Sequence, residues 1–247
     1  MSEQKRIRTF MAGLLLVGLL GMIPLVGAAT DPLQIMDELR LGGETGDFRV
    51  MTEISLYKQG NLDSQRFYEV YVGSDRRSLV LFRSSAEAGQ KMLMLDDQYW
   101  LFLPSSRRPL RITPMQKLLG EASSGDISSL RWQDDYTVTF SERIGETLHL
   151  QLEAGRKGVT YARVELQVDA SSLHPQTAAF YLQSGRLAKE AEFELDQVDG
   201  RKALAGMKLV DRIQKDQYTL IRYLSSESVE IPDRWFNPAF LVRETSM

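Results

Sequence analysis

The chain has 247 residues, with 30 Lys and Arg against 33 Asp and Glu, a formal charge of −3, two histidines and no cysteine. A mildly acidic chain lacks the net basic surface that general nucleic-acid binding needs. The absence of cysteine excludes disulfides, thiolate metal sites, a cysteine nucleophile and a lipid-modified N-terminal cysteine.

Residues 1–29 read as a secretory signal. Lys5, Arg6 and Arg8 form a positive start, Phe10 to Val26 is apolar, and Gly27-Ala28-Ala29 offers small residues for cleavage. The other reading is an uncleaved anchor, although Gly13, Gly18, Gly21 and Pro24 weaken the run as a spanning helix. Cleavage would leave 27 Lys and Arg against 32 Asp and Glu, since the segment carries three cations and one acid. No Pro/Gly/Ser-rich linker, internal repeat or low-complexity tract divides residues 30–247, so they are expected to form one domain.

Asp31 and Pro32 are a cap and first residue for a short helix, with Leu33, Ile35, Met36 and Leu39 at helical spacing and Leu41-Gly42-Gly43 as its end. Strand patterning follows. Phe48, Val50, Thr52, Ile54 and Leu56 fall on one face of the first strand. Strands are expected at 66–73 and 78–83, then as a hairpin of 91–95 and 98–103 turned at Asp96-Asp97. The second half repeats the pattern, with strands at 136–143, 146–153, 160–169, 176–183, 187–197, 203–214 and 218–229. About eleven or twelve strands joined by short turns predict an antiparallel meander. Between the halves, 115–119 is expected as a short helix begun at Pro114 and stopped by Gly120, and Asp126 as the cap of a helix over 127–132. A further short helix is expected in the tail, from Asp233.

The hairpin is apolar on both faces. Met92, Met94, Trp100 and Phe102 are assigned to one face, and Leu93, Leu95, Tyr99, Leu101 and Leu103 to the other. Two readings stand: a strand pair buried on both sides, or one face lining a groove, with the first four residues as its wall. Arg107, Arg108, Arg111 and Lys117 follow with no acid among them. They are candidates for contact with anionic lipid head groups or an acidic partner, or else a solvated loop paired with nearby acids. His149 and His174 lack a second His or a Cys for a metal and a G-x-S-x-G elbow for catalysis. Asp96-Asp97 and Asp134-Asp135 read as turn formers, and no Walker loop or G-x-G-x-x-G is present. No enzyme activity, metal or cofactor is expected.

Gln90-Lys91-Met92-Leu93, Tyr99-Trp100-Leu101-Phe102-Leu103-Pro104, Arg107-Arg108, Arg111-Ile112, Gln116, Gly120 and Gly125-Asp126, with Phe236-Asn237-Pro238-Ala239-Phe240-Leu241, resemble the LolA-like outer-membrane lipoprotein-sorting proteins, in particular the larger group that accompanies inner-membrane transporters. The resemblance implies a mainly β fold with a few short α-helices. This would be an antiparallel incomplete half-barrel of LolA/LolB type, whose concave apolar face is closed by helices. It also implies a monomeric periplasmic carrier that moves lipid or lipoprotein acyl chains towards the outer membrane, working with an inner-membrane transporter of the resistance-nodulation-division (RND) class. The alternative it implies is a lipid-sensing regulator or adaptor that binds a membrane protein without carrying cargo.

Overall fold

The computed structural model describes residues 31–41, 46–106, 108–128, 131–198, 200–210 and 216–243; the signal expected at residues 1–29 lies outside them. Asp31 caps α1 (Pro32–Leu41) as the sequence implies, its Oδ1 accepting the Leu33 N–H at 2.9 Å. Leu33, Met36 and Leu39 form the buried stripe of this helix.

Six strands follow: β1 (Phe48–Lys58), β2 (Asn61–Gly73), β3 (Arg77–Phe82), β4 (Lys91–Leu95), β5 (Gln98–Phe102) and the short β6 (Leu110–Ile112). A crossing connection carries β7 (Lys117–Leu119), β8 (Ala122–Ser123), α2 (Ser124–Ser128) and α3 (Trp132–Asp135). Seven more strands complete the sheet: β9 (Tyr136–Ile144), β10 (Thr147–Ala154), β11 (Arg163–Asp169), β12 (Pro175–Tyr181), β13 (Leu187–Val198), β14 (Arg201–Val210) and β15 (Gln217–Ser228). A 3₁₀ turn at Asp233–Trp235 and α4 (Pro238–Arg243) end the described chain.

Thirteen strands make one sheet in the order β6-β5-β4-β3-β2-β1-β15-β14-β13-β12-β11-β10-β9, while β7 and β8 pair separately. The order is a meander cut open elsewhere than at its chain ends. β1 pairs antiparallel with both β2 and β15, so the first strand is central and β6 and β9 are free edges. The fold is mainly β, and its single large antiparallel sheet is open rather than closed.

Register shifts at Met51/Thr52, Leu56/Tyr57, Gln151/Leu152 and Glu194/Leu195 place bulges along the long strands, where an extra residue bends the strand and increases its twist. The sheet curls far enough for turns of opposite wings to touch: Arg156, after β10, pairs with Asp96 of the β4–β5 turn.

The predicted face of β1 is observed: Phe48, Val50, Thr52, Ile54 and Leu56 are all buried. They belong to the inner side, where α1, α2 and α3 lie over the sheet and Met36, Ile127 and Trp132 join the strand residues in one core. The outer side has a smaller core of its own. Ile231, Phe236 and Leu241 of the tail cover Leu79, Leu81 and Leu93, and the Lys91 ammonium lies 3.5 Å from the Leu241 carbonyl near the end of α4. The Phe236–Leu241 segment therefore seats the tail on the sheet.

The connection differs from the sequence reading in two places. Residues 115–119 do not form a helix: a turn at 113–116 leads into β7, because Leu118 and Leu119 reach the inner core in extended form. Gly120 (φ 54°) is the corner of the β7–β8 hairpin, pressed onto the sheet; a Cβ there would collide with Thr219 Oγ1 and approach Leu56 Cδ1 to 3.0 Å. We expect Gly120→Ala to cost about 1–3 kcal/mol in urea unfolding, from left-handed strain together with this clash. Unchanged stability would show that the hairpin shifts freely.

The helix expected over 127–132 starts earlier, at Ser124, and Asp126 lies inside it. Its carboxylate reaches back to the Ser123 N–H at 2.7 Å, the reciprocal form of a capping box, so it caps from the third helical position.

Candidate functional site

The two-residue turn at Asp96-Asp97 settles the faces of the apolar hairpin. It pairs Leu95 with Gln98, Met94 with Tyr99 and Met92 with Leu101, so even positions of β4 share a face with odd positions of β5. Met92 and Met94 are on the inner side and fully packed. Trp100 and Phe102, assigned to the same wall from the sequence, lie on the outer side beneath the tail. Tyr99 and Leu101 take the inner positions instead. The reading of the pair as buried on both sides is the one observed here.

An open cleft exists in the other wing. It has a volume of ≈ 600 Å³ and lies between the start of α1, α3 and the inner face of β9 and β10. Leu33, Val138, Leu148, Leu150 and Leu173 supply apolar walls, and Asp31, Gln133, Thr137 and Ser141 supply polar groups. The volume is within the usual range for small-molecule sites. Among the described strands β9 is an edge with β10 as its one neighbour, and the cleft opens beside it over a partly covered inner face of β10. Tyr136 stands between this cleft and a second cavity of ≈ 40 Å³, lined also by Arg131, Trp132, Thr160 and Phe180.

Two buried ionic clusters hold the covering helices in place. Lys189 on β13 donates to Asp126 Oδ2 at 2.6 Å and to the Glu121 carbonyl at 2.5 Å; the two charged side chains are 2% and 6% exposed. Tyr161 donates to the other Asp126 oxygen at 2.7 Å. Burial by itself would push the Asp126 carboxyl up. The Lys189 ammonium and the hydrogen bonds from Ser123 and Tyr161 outweigh it and hold the carboxyl below its ordinary value. Burial, followed by the Asp126 charge, pushes the Tyr161 phenol well above its ordinary value, so it serves as a neutral donor.

The second cluster centres on Arg76, in the β2–β3 turn. It pairs with Asp135 at the end of α3 and donates through Nε to Asp96 Oδ1 at 3.0 Å. Asp96 and Asp135, read from sequence as turn residues, thus also tie the two wings together. Asp37 of α1 adds a third tie, accepting the Trp132 N–H at 2.6 Å and the Gln133 N–H at 3.0 Å.

Arg107 lies outside the described residues. Arg108 is exposed. Arg111 is on edge strand β6, 4.6 Å over the Trp100 ring, and donates to Gln98 Oε1 at 2.8 Å. Lys117, in the separate β7–β8 sheet, pairs with Glu121 at 2.5 Å. His149 is opposite Glu142 and Gln167 in the sheet, and His174 is in the turn before β12. Among the described residues, no group of three His, Cys, Asp or Glu side chains is placed to hold a metal.

The sequence analysis missed the cleft and both ionic clusters. A partial signal was present for the cleft, where Leu148 and Leu150 share a face, and for the Asp126–Lys189 cluster, where Ser123-x-x-Asp126 has capping-box spacing and Lys189 shares the parity of Ala191 and Phe193; the Arg76 cluster had none.

An open antiparallel sheet, with helices of a crossing connection laid over its inner face, is the architecture of the LolA-like proteins. A family model described as "Uncharacterized protein" matches residues 74–243, most of the chain, and the chain belongs to that family. Among solved structures it is similar to a LolA superfamily protein of Nitrosomonas europaea, with a TM-score of 0.74 at 26% identity over 85% of this chain and 97% of that one. A DUF1329 family protein of Desulfovibrio piger has a TM-score of 0.63 at 22% identity, covering 86% and 100% of the two chains. A putative outer membrane lipoprotein-sorting protein domain of Vibrio parahaemolyticus has 0.64 at 19%, covering 86% and 97%. The last two carry the fold alone. No curated protein matches the sequence.

Proposed function

We propose that the protein is a periplasmic carrier that shelters acyl chains of a lipid or lipoprotein in the cleft between α1, α3 and β9–β10. The observation that carries this reading is an apolar cleft of ≈ 600 Å³ opening beside a free sheet edge, in a fold shared with the LolA superfamily. Each methylene moved from water into such walls contributes about 0.8 kcal/mol, so a fatty chain gains several kcal/mol without any bond being made or broken. In this reading the protein is not an enzyme. It takes cargo at the inner membrane, from a transporter of the RND class, and carries it towards the outer membrane. The helices over the inner face act as the lid, and the cations at Arg108 and Arg111 contact the donor membrane or partner.

The test is the native protein purified from periplasm without detergent, extracted with organic solvent and read by mass spectrometry for lipids, with proteomics for acylated proteins. We expect a stoichiometric acyl compound, reduced about tenfold in Ser141→Trp, which fills the cleft from an exposed rim position. An empty wild-type protein would sink the carrier reading.

The second reading, an adaptor that binds a membrane protein without carrying cargo, draws on the edge strand β9. It is nine residues long and contains no proline, and Phe140 and Ile144 are 53% and 57% exposed. Long unprotected edges invite strand addition. An empty protein recovered in stable complex with one inner-membrane protein would favour it.

A further inference from the structure

We infer that the cleft prefers acyl compounds with an uncharged head, such as a fatty alcohol or a glyceride, over free fatty acids and phosphate-headed lipids. This rests on the cleft being an acyl site.

Apart from the apolar walls, the cleft presents the Gln133 amide, the Thr137 and Ser141 hydroxyls and the Asp31 carboxylate, and among the described residues no lysine or arginine lines it. Asp31 is held there: one oxygen accepts the Leu33 N–H at 2.9 Å, and the other accepts from Gln133 Nε2 at 3.4 Å. The Tyr136 hydroxyl is turned away, donating to the Tyr161 carbonyl at 3.4 Å. Two nearby cations donate to backbone carbonyls that do not line the cleft. Arg143, on the strand that borders the cleft, folds back to donate to the Gly145 carbonyl at 3.0 Å. Arg131 lines the smaller cavity and donates to the Gly46 carbonyl at 3.4 Å. An anionic head entering this site loses water, finds no cation among the described lining residues and meets a fixed carboxylate, while Arg143, opposite Leu148 in the sheet, is the nearest rim cation and is exposed to solvent. A hydroxyl or ester head finds amide and hydroxyl partners and carries no charge to desolvate.

The experiment loads full-length mature protein with the uncharged fluorescent probe N-phenyl-1-naphthylamine. Dodecanol, dodecanoate and dodecyl phosphate, which share one chain and differ only in the head, then compete for the site at neutral pH. We expect dodecanol to displace the probe at about tenfold lower concentration than either anion. We also expect Ser141→Lys, which places a cation at the rim, to remove most of that difference. The second arm separates selection by the rim from the greater hydration of the anions. Dodecanoate displacing as well as dodecanol from the wild type, or an unchanged ratio in Ser141→Lys, overturns the inference while leaving the acyl site standing. If no dodecyl compound displaces the probe, or Ser141→Trp leaves probe binding intact, the acyl site itself falls and the inference falls with it.

Discussion

Lys189→Met is expected to destabilise the protein by about 3–5 kcal/mol at neutral pH, because it leaves the buried Asp126 carboxylate without its countercharge. The two groups are 2.6 Å apart beneath the covering helices. Asp126 is at once the cap of α2 and the partner of a sheet residue, so losing Lys189 strains the attachment of the connection as well as the ion pair. The double variant Lys189→Met with Asp126→Asn should recover part of the loss, since the charge is removed and the amide oxygen can still accept from Ser123. Chemical unfolding of the three proteins checks this.

The pH dependence follows from the sign of the shift. The folded Asp126 carboxyl is held below the ordinary 3.8, so its stabilisation is complete above that value and is lost as the pH falls through the folded one. In Lys189→Met the unpaired carboxylate is relieved by protonation. The gap between wild type and variant is therefore expected to be widest at neutral pH and to narrow in acid. A gap that stays constant with pH would assign the loss to packing rather than charge.

Arg76→Met is expected to cost a similar amount, about 3–5 kcal/mol, and to act on the shape of the molecule as well as its stability. Its guanidinium links the β2–β3 turn to Asp96 in the β4–β5 turn and to Asp135, which is buried at the junction of α3 and β9. Without it, the buried Asp135 loses its Arg76 countercharge, and the contact between the two wings is broken at its centre. Hydrogen exchange should rise together around residues 95–98 and 132–138, two segments joined through Arg76. Both Arg and Met must adopt φ 55° at this position, so the backbone term cancels in the comparison. Arg156→Ala is the control. It also pairs with Asp96, but it is partly exposed, and we expect a loss of less than about 1 kcal/mol. Equal losses in the two variants would mean that the link is a surface contact.

The alternation of Phe48, Val50, Thr52, Ile54 and Leu56 named the inner face of β1 correctly, because a period of two is a local property and one buried face enforces it. Asp31-Pro32 marked the helix start for an equally local reason, a side chain bonding a backbone group two residues on. The Phe236–Leu241 segment was legible only as part of the family resemblance; that it seats the tail is seen in its packing on Leu79, Leu81 and Leu93. The faces of Trp100 and Phe102 were within reach as well: a two-residue turn inverts parity between its strands, and applying that step to Asp96-Asp97 places Trp100 opposite Leu93.

The sequence by itself therefore determined that the fold is an antiparallel meander, where its longer strands run and which face of β1 is buried, since each depends on residues a few positions apart. The tertiary structure alone decided that β1 is central, that β6 and β9 are the free edges and that the cleft opens beside β9. It also decided that Asp126 meets Lys189 and that Arg76 meets Asp135. These depend on pairings between residues tens to more than a hundred positions apart. No periodicity records such pairings; they arise when a bulged, twisted sheet curls until its distant turns touch.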